Sequence, residues 1–122
     1  SIQQLTWIYP TDEPLENIIF IESCTNPHSL IFDFCQIEYL RSISKKLHII
    51  CDNSWLSHCI FNPFEHDIDI VTISLTKYYS GGNAICGACL FKSDDIYNLA
   101  DNFIRISGLH NSPLQIQIIN KY

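Results

Sequence analysis

Short apolar runs separated by polar segments dominate the pattern of this chain. Three runs rich in β-branched residues, at positions 18–21, 48–51 and 68–74, each end at polar residues. Uninterrupted apolar runs of this length are typical of strands that are buried on both faces, so the pattern predicts three such strands. A fourth run over positions 85–91 predicts another strand.

One helical stretch lies between the first two predicted strands. Asp33, with Gln36 three residues later, has the form of a helix capping box. Apolar residues then recur at helical spacing over positions 37–47, and Lys45 and Lys46 suit the C-terminal turn of a helix. The pattern predicts one amphipathic helix from the capping box to position 47.

A second helical stretch follows the fourth strand. Ser93 is suited to cap a helix whose apolar face recurs over positions 96–104 and which Gly108 closes. Strands that alternate with amphipathic helices predict an α/β layered architecture with the first three strands parallel. The pattern assigns no element to the first seventeen residues or to the last dozen.

Composition and charge restrict the classes of function. The chain has 122 residues with 47% hydrophobic content, which is enough apolar material for the core of one domain. Its formal net charge of −6, with seven scattered basic residues, excludes a nucleic-acid-binding surface. The sequence contains no apolar run of membrane-spanning length and no signal peptide at Ser1, so we expect a soluble cytoplasmic protein.

Cysteine and histidine residues offer two alternative chemistries. The six cysteines lie in or beside apolar segments, which indicates reduced thiols packed as small hydrophobic groups. Cys86 and Cys89 have the spacing of a thiol redox motif, but within a strand pattern, which favours core packing. A zinc site is disfavoured because its candidates lack the paired spacing of structural zinc modules, and we expect no metal. These candidates are Cys51, His58, Cys59 and His66.

Polar residues that could take part in catalysis or ligand binding follow the predicted strands. Asp52 comes after the second strand, and Ser74, Thr76 and Lys77 come at the end of the third. Ligands of open α/β sheets bind at the carboxyl ends of the strands, where these side chains would converge. A carboxylate, a lysine and two hydroxyl groups suit an anionic aromatic cofactor.

Three ordered blocks, over positions 19–27, 49–55 and 67–78, carry a resemblance to a known family. In order and spacing they are similar to the central region of the transsulfuration enzymes, which depend on pyridoxal 5′-phosphate (PLP). That family includes cystathionine γ-synthases, cystathionine β- and γ-lyases and methionine γ-lyases. The resemblance covers roughly positions 18–87 and extends more loosely to 113.

The resemblance implies a fold and an activity. The chain would be a single partial domain over positions 1–122, the central part of the large domain of the aminotransferase-like fold (fold type I), with a mostly parallel sheet and flanking helices. The complete enzyme would be a lyase or transferase that acts on sulfur amino acids or homoserine derivatives. It would assemble as a homo-oligomer, a dimer or a tetramer.

Carried over residue by residue, the resemblance also implies a cofactor site. Lys77 would form the internal Schiff base with PLP and move protons on the substrate, and Asp52 would pair with the pyridine nitrogen. Ser74 and Thr76 would hold the phosphate, and Asn26 would lie near the phenolic oxygen. Turn-forming roles remain open for Asp52 and Asn26, because both residue types favour turns without any ligand.

The chain departs from the family pattern in several places. Positions 79–84 replace a Gly-His-Ser-Asp-like segment, and Cys24 stands where the family often has proline. No segment of this sequence corresponds to the family's upstream phosphate loop and ring-stacking tyrosine. Arg41 and Arg105 fall in the two predicted helices, so neither has the position of the downstream arginine that binds the substrate carboxylate. A non-catalytic binding or oligomerisation module is therefore the alternative function.

Overall fold

A four-stranded mixed sheet with the order β1-β2-β3-β4 organises the chain. The computed structural model describes residues 17–44 and 46–121. The first three strands are parallel, as the sequence predicts, and the fourth is antiparallel to its neighbour. The strands are β1 (Asn17–Glu22), β2 (Leu47–Asp52), β3 (Ile70–Ser74) and β4 (Gly87–Phe91).

Four helices and one 3₁₀ turn connect or follow these strands in the described part of the chain. They are α1 (Gln36–Ile43), α2 (Ser57–Ile60), the 3₁₀ turn (Pro63–His66), α3 (Asp94–Ser107) and α4 (Pro113–Ile119). Among the described residues, no helix is long and apolar enough to cross a membrane. The sequence pattern predicts α1 and α3, whereas it missed α2, α4 and the 3₁₀ turn.

The hydrophobic core lies on one face of the sheet. Side chains alternate in β2, where Leu47, Ile49 and Cys51 are buried, and Ile37 of α1 packs into the same cluster. The prediction that the strands are buried on both faces is wrong for the described chain. Alternate side chains of a strand point to opposite faces, and on β1 Ile18 and its neighbour on that face, Phe20, remain 59% and 56% exposed.

Helix α1 is shorter than the sequence predicts. It ends at Ile43, and Leu47 is the first residue of β2, where it is buried and pairs with Asn17. Lys46 precedes that strand, and Lys45 lies outside the described residues. Strand pairing thus overrides the helical spacing at position 47.

The predicted capping box at the start of α1 is also wrong. The residue that precedes the helix is Cys35, and Asp33 lies two residues further upstream. The Asp33 carboxylate accepts hydrogen bonds from the Cys35 backbone N–H and the Gln36 side-chain amide, both at 3.2 Å. Asp33 therefore stabilises the turn that leads into the helix, not the helix end itself.

The boundaries of α3 follow the sequence prediction. The Ser93 hydroxyl accepts a hydrogen bond from the Ile96 N–H, and Gly108 ends the helix with a positive φ of 67°. Glycine adopts this left-handed conformation without the steric cost that a Cβ atom imposes.

Side chains beyond α3 bind the outer edge of β4. The Asn111 side-chain amide donates to the Gly87 carbonyl at 3.0 Å, and its oxygen accepts from the Gly87 N–H at 3.4 Å. Gln115 of α4 accepts from the Ile85 N–H at 2.6 Å. These hydrogen bonds hold α4 and the segment before it against the start of β4.

An ionic network joins α1 to the amino ends of β2 and β3. The Arg41 guanidinium donates to the Leu47 carbonyl at 2.9 Å and to the Asp69 carboxylate at 2.9 Å. It also contacts the Asp67 carboxylate, which Lys92 binds as well. Arg41 therefore lies at the sheet edge opposite to the predicted cofactor site.

The charge of Asp67 makes a testable contribution to the pH dependence of stability. The hydrogen bond from Lys92, together with the Arg41 charge, lowers the pKa of Asp67 from its usual 3.8. A carboxyl group with a lowered folded-state pKa stabilises the fold above its unfolded pKa, and this contribution is lost as the pH falls through the folded-state pKa. Asn suits the left-handed backbone at this position (φ 58°), so Asp67→Asn changes little else.

We expect the thermal midpoint of Asp67→Asn to lie below that of the unsubstituted protein at about pH 6, and the difference to shrink as the pH falls below 3.8 and through the lowered folded-state pKa of Asp67. Thermal unfolding followed by circular dichroism over this pH range measures the difference. A gap that stays constant with pH would contradict the ionic contribution.

Candidate cofactor site

Backbone hydrogen bonds join the residues at the carboxyl ends of the three parallel strands. The Ser23 N–H, just after β1, donates to the Asp52 carbonyl at 2.9 Å. The Asn53 N–H, just after β2, donates to the Thr72 carbonyl of β3 at 2.9 Å. Backbone pairing thus continues past the ends of β1 and β2 and holds the loops that follow them in register.

Two buried polar side chains reinforce this edge. Ser23 and Asn53 are almost completely buried, and the Ser23 hydroxyl donates to the Asn53 side-chain oxygen at 2.8 Å. The Asn53 amide in turn donates to the Phe61 carbonyl at 2.9 Å. The sequence predicts polar side chains after both strands, but it does not predict the hydrogen bond between Ser23 and Asn53.

Replacing Asn53 tests this buried network. We expect Asn53→Ala to reduce the free energy of unfolding by about 2–4 kcal/mol, because the Ser23 hydroxyl and the Phe61 carbonyl lose their partner while buried. Urea unfolding measures the change. The control is Asn98→Ala on the exposed surface of α3, which should change the free energy by less than about 0.5 kcal/mol. Equal effects of the two substitutions would contradict a special role for Asn53.

Asp52 ends β2 at this edge and is half-buried. One of its carboxylate oxygens accepts a hydrogen bond from the Ser54 N–H at 2.8 Å, so Asp52 does form the turn that the alternative interpretation describes. A carboxylate has several further acceptor positions, so this bond leaves it able to accept another donor.

Lys77 lies in the loop that connects β3 and β4 over positions 75–86, which we call the β3–β4 turn. The Leu75 and Thr76 N–H groups both donate to the Cys86 carbonyl, at 3.0 and 3.2 Å, which closes the base of the turn. At its far end, the Gly81 N–H donates to the Lys77 carbonyl at 2.8 Å, and Gly81 has a positive φ of 56°. The turn thus presents the Lys77 side chain exposed to solvent.

The glycine pair at positions 81 and 82 allows the chain to turn here, because glycine adopts positive φ angles at little steric cost. Gly82, with φ 84°, donates its N–H to the Thr76 carbonyl at 2.7 Å. The Ser80 hydroxyl, which is buried, donates to the same carbonyl at 3.0 Å and accepts from the Ala84 N–H at 3.2 Å. Ser80 is thus a third buried polar residue, after Ser23 and Asn53, that stabilises this part of the chain, and the sequence pattern predicts no role for it.

The two predicted phosphate-binding residues differ in their surroundings. Ser74 ends β3, and its N–H donates to the Ser54 hydroxyl at 2.7 Å. The Thr76 hydroxyl accepts from the Cys86 N–H at 3.0 Å and donates to the Cys86 carbonyl at 3.2 Å. A hydroxyl has one proton to donate, so the Thr76 proton is engaged within the turn.

Side chains also join the Lys77 turn to the segment after Asp52. The Tyr78 hydroxyl donates to the Trp55 carbonyl at 2.9 Å, and the Tyr79 hydroxyl lies 2.6 Å from His58 Nδ1. Together with the Ser54–Ser74 bond, these contacts hold the loops that carry Asp52 and Lys77 side by side. An open cleft of about 500 Å³ adjoins the turn; it is lined by Tyr78, Tyr79, Ser80, Gly81, Asn83 and Ile119.

Asn26 lies in a separate turn after β1. The Thr25 N–H donates to the Leu30 carbonyl at 2.9 Å, and the Leu30 N–H donates to the Thr25 hydroxyl at 3.0 Å, so the two residues close this turn. Asn26 is exposed and precedes Pro27 through a cis peptide bond. Among the described residues it makes no hydrogen bond with the other predicted site residues.

The cysteine residues do not assemble a redox or zinc site in the described chain. All six are free thiols, and Cys86 is buried while Cys89 is exposed on β4. Burial, followed by the nearby Asp52 charge, raises the pKa of the Cys51 thiol to about 12, so it stays protonated near neutral pH. No three potential metal ligands among the described residues come close enough to hold an ion.

The prediction that the cysteines pack as small hydrophobic groups needs correction for half of them. Cys24, Cys51 and Cys86 are buried as expected. The other three are exposed because they lie at a helix start, in the short helix α2 and on the outer strand β4, where the chain has little covering structure. These are Cys35, Cys59 and Cys89.

Comparison with known proteins shows what the chain is similar to. The family model described as "Cys/Met metabolism PLP-dependent enzyme" matches residues 10–121. Cystathionine beta-lyase of Schizosaccharomyces pombe is 40% identical over 104 residues, which are 84% of this chain and 27% of the lyase.

Two solved structures extend the comparison. Cystathionine gamma-lyase of Lactobacillus plantarum, solved with L-serine, superimposes with a TM-score of 0.77 at 25% identity over 85% of this chain and 27% of that one. A protein of Campylobacter jejuni assigned as an O-acetylhomoserine (thiol)-lyase contains a pyridoxyl-lysine monophosphate. It gives a TM-score of 0.58 at 37% identity over 63% of this chain and 19% of its own. The present chain spans between about a fifth and just over a quarter of the length of these three relatives.

Proposed function

Because the chain belongs to the Cys/Met metabolism family of PLP-dependent enzymes, we propose that the protein that carries it is a lyase or transferase acting on sulfur amino acids or homoserine derivatives. One observation supports this proposal above the others. The carboxylate that ends β2 and an exposed primary amine just after β3 belong to segments that three hydrogen bonds join. The similar lyases named above support the substrate class.

The donor set of the site fits PLP. Lys77 is the amine that would bond the cofactor's aldehyde carbon, and Asp52 is the carboxylate that would accept a hydrogen bond from the pyridine nitrogen. Ser74 would donate its hydroxyl proton to the phosphate. Thr76 would join it by turning its proton from the Cys86 carbonyl to a phosphate oxygen, while still accepting from the Cys86 N–H. Asn26 would approach the phenolic oxygen.

The chemistry divides between cofactor and chain. When bound, PLP supplies an electron sink for the negative charge that develops on a substrate carbon. With its Nζ atom free of the cofactor, Lys77 would take and return the proton at that carbon. The Asp52 charge would keep the ring nitrogen protonated, and the Ser54 N–H fixes the orientation of the carboxylate.

Two further inferences concern the cellular location of the protein and its assembly. We infer a cytoplasmic location, because six free thiols in one short chain suit a reducing compartment. We also infer that residues 1–122 form one part of the cofactor-binding domain in a homo-oligomer, dimer or tetramer, as the family resemblance implies, with a small amino acid as the substrate.

Reductive trapping tests the proposed function. The protein that carries this chain is incubated with PLP, reduced with borohydride and digested, and its peptides are weighed by mass spectrometry. We expect a reduced pyridoxyl phosphate group on Lys77 at close to one per chain. Lys46 and Lys92, which are also exposed, are internal controls and should remain almost unmodified. Equal labelling of all three lysines, or none, would favour the non-catalytic module.

A further inference from the structure

We propose that His58 and Tyr79 are positioning residues for Lys77, an inference that rests on the proposed function. Tyr79 lies two residues after Lys77 within the same turn, and its hydroxyl is 2.6 Å from His58 Nδ1. His58 belongs to α2, which follows Asp52 by only a few residues. This single side-chain contact therefore joins the segment that carries the amine to the segment that carries the carboxylate.

The contact is well placed to control the turn. The Tyr79 ring is half-buried and packs against the hydrophobic core, so its hydroxyl projects from a fixed base. The His58 and Tyr79 rings stack with centroids 6.0 Å apart and planes inclined by 23°. His58 Nε2 lies 3.6 Å from Cys59 Sγ, so both ring nitrogens have neighbours that fix the imidazole orientation.

Two further hydrogen bonds join the two segments, from the Tyr78 hydroxyl to the Trp55 carbonyl and from the Ser74 N–H to the Ser54 hydroxyl. Each of them depends on one side chain, whereas the His58–Tyr79 bond depends on two. Tyr78 donates to a backbone carbonyl, that of Trp55, which any residue at position 55 would provide. The backbone bonds of the turn, such as that from the Gly81 N–H to the Lys77 carbonyl, are internal to it and do not orient it relative to Asp52. Loss of the His58–Tyr79 bond should therefore loosen the turn relative to β2 and leave the fold intact.

Four variants of the protein that carries this chain test the proposal. Tyr79→Phe removes the hydroxyl, and His58→Leu removes the imidazole. His58→Asn keeps an amide close to the position of Nδ1 and should rescue the contact. Tyr97→Phe is the matched control, because Tyr97 lies on α3 and contacts Phe91 away from the site.

The first measurement is amide hydrogen exchange of the peptide over positions 75–84 in the protein without PLP. We expect exchange to be roughly five- to tenfold faster in Tyr79→Phe and His58→Leu, which corresponds to the loss of one hydrogen bond. His58→Asn and Tyr97→Phe should remain within about twofold of the unsubstituted protein. The second measurement is the rate of borohydride-trapped PLP attachment at Lys77, which should fall in the first two variants alone.

The outcomes separate this inference from the function on which it rests. Failure to trap PLP on Lys77 in the unsubstituted protein overturns the proposed function, whatever the exchange rates show. Normal trapping with unchanged exchange and attachment rates in Tyr79→Phe overturns the positioning role alone. If His58→Asn behaves like His58→Leu, the hydrogen bond is not the contact that holds the turn, and the proposal is also overturned.

Discussion

Replacing Lys77 with alanine should abolish attachment of PLP and reduce turnover of the proposed sulfur amino-acid substrate class, assayed with L-cystathionine as the test compound, by about 100- to 10,000-fold, the range expected when a general acid–base group is lost. Lys77 carries the primary amine of the β3–β4 turn, and this amine is exposed. Without it, no group of this turn can bond the aldehyde carbon or move the substrate proton. Chromatographic assay of substrate consumption measures the loss.

Lys77→Arg is the matched control for charge. Arginine keeps the positive charge at this exposed position, but its guanidinium is protonated in proteins and is not a nucleophile. We expect Lys77→Arg to be as inactive as Lys77→Ala while its circular dichroism spectrum and unfolding midpoint remain unchanged. Substantial turnover by either variant would contradict the role of Lys77.

Replacing Asp52 with asparagine should reduce turnover by about 10- to 100-fold, the equivalent of losing one charged hydrogen bond in the reaction. Asparagine retains a side-chain oxygen that can accept from the Ser54 N–H, so the turn after β2 survives. It carries no negative charge, so it does not keep a pyridine nitrogen protonated. The same kinetic assay, with the visible absorption spectrum of bound PLP, measures the effect.

This substitution separates the two interpretations of Asp52. If Asp52 is only a turn residue, Asp52→Asn should leave turnover and stability unchanged. If it also binds the cofactor, turnover falls while the unfolding midpoint stays close to that of the unsubstituted protein. The control is Asp95→Asn, an exposed aspartate in the first turn of α3. Loss of turnover with that control would indicate a general effect of removing charge.

Much of the fold could be predicted because its signals are local in sequence. The apolar runs locate the strands within two residues, and the Ser93 and Gly108 signals locate α3. Helix α4 was missed although Ser112, which accepts from the Gln115 N–H, and Pro113 are both start signals. Its apolar pattern is short, and seven residues give little periodicity.

The errors occur where neighbours in space decide the outcome. Leu47 fits a helical pattern, but its pairing with Asn17 places it in β2. The exposure of Ile18 depends on which elements cover that face of the sheet, and the apolar pattern of β1 contains no such information. Similarly, the positions of Asp52, Ser74 and Lys77 at the ends of successive strands indicate that they share one edge of the sheet. The Ser23–Asn53 hydrogen bond, in contrast, joins two side chains that are thirty residues apart in sequence, so no local pattern indicates it.

The two hydrogen bonds between the Asn111 side chain and the Gly87 backbone have a consequence for aggregation. An unpaired strand edge is a template on which a strand of another molecule can add, and many proteins block such edges. The side-chain amide of Asn111 occupies both the donor and the acceptor of Gly87, as one residue of a fifth strand would. Within the described residues, Asn111 therefore leaves neither backbone group of Gly87 available to a strand of another molecule.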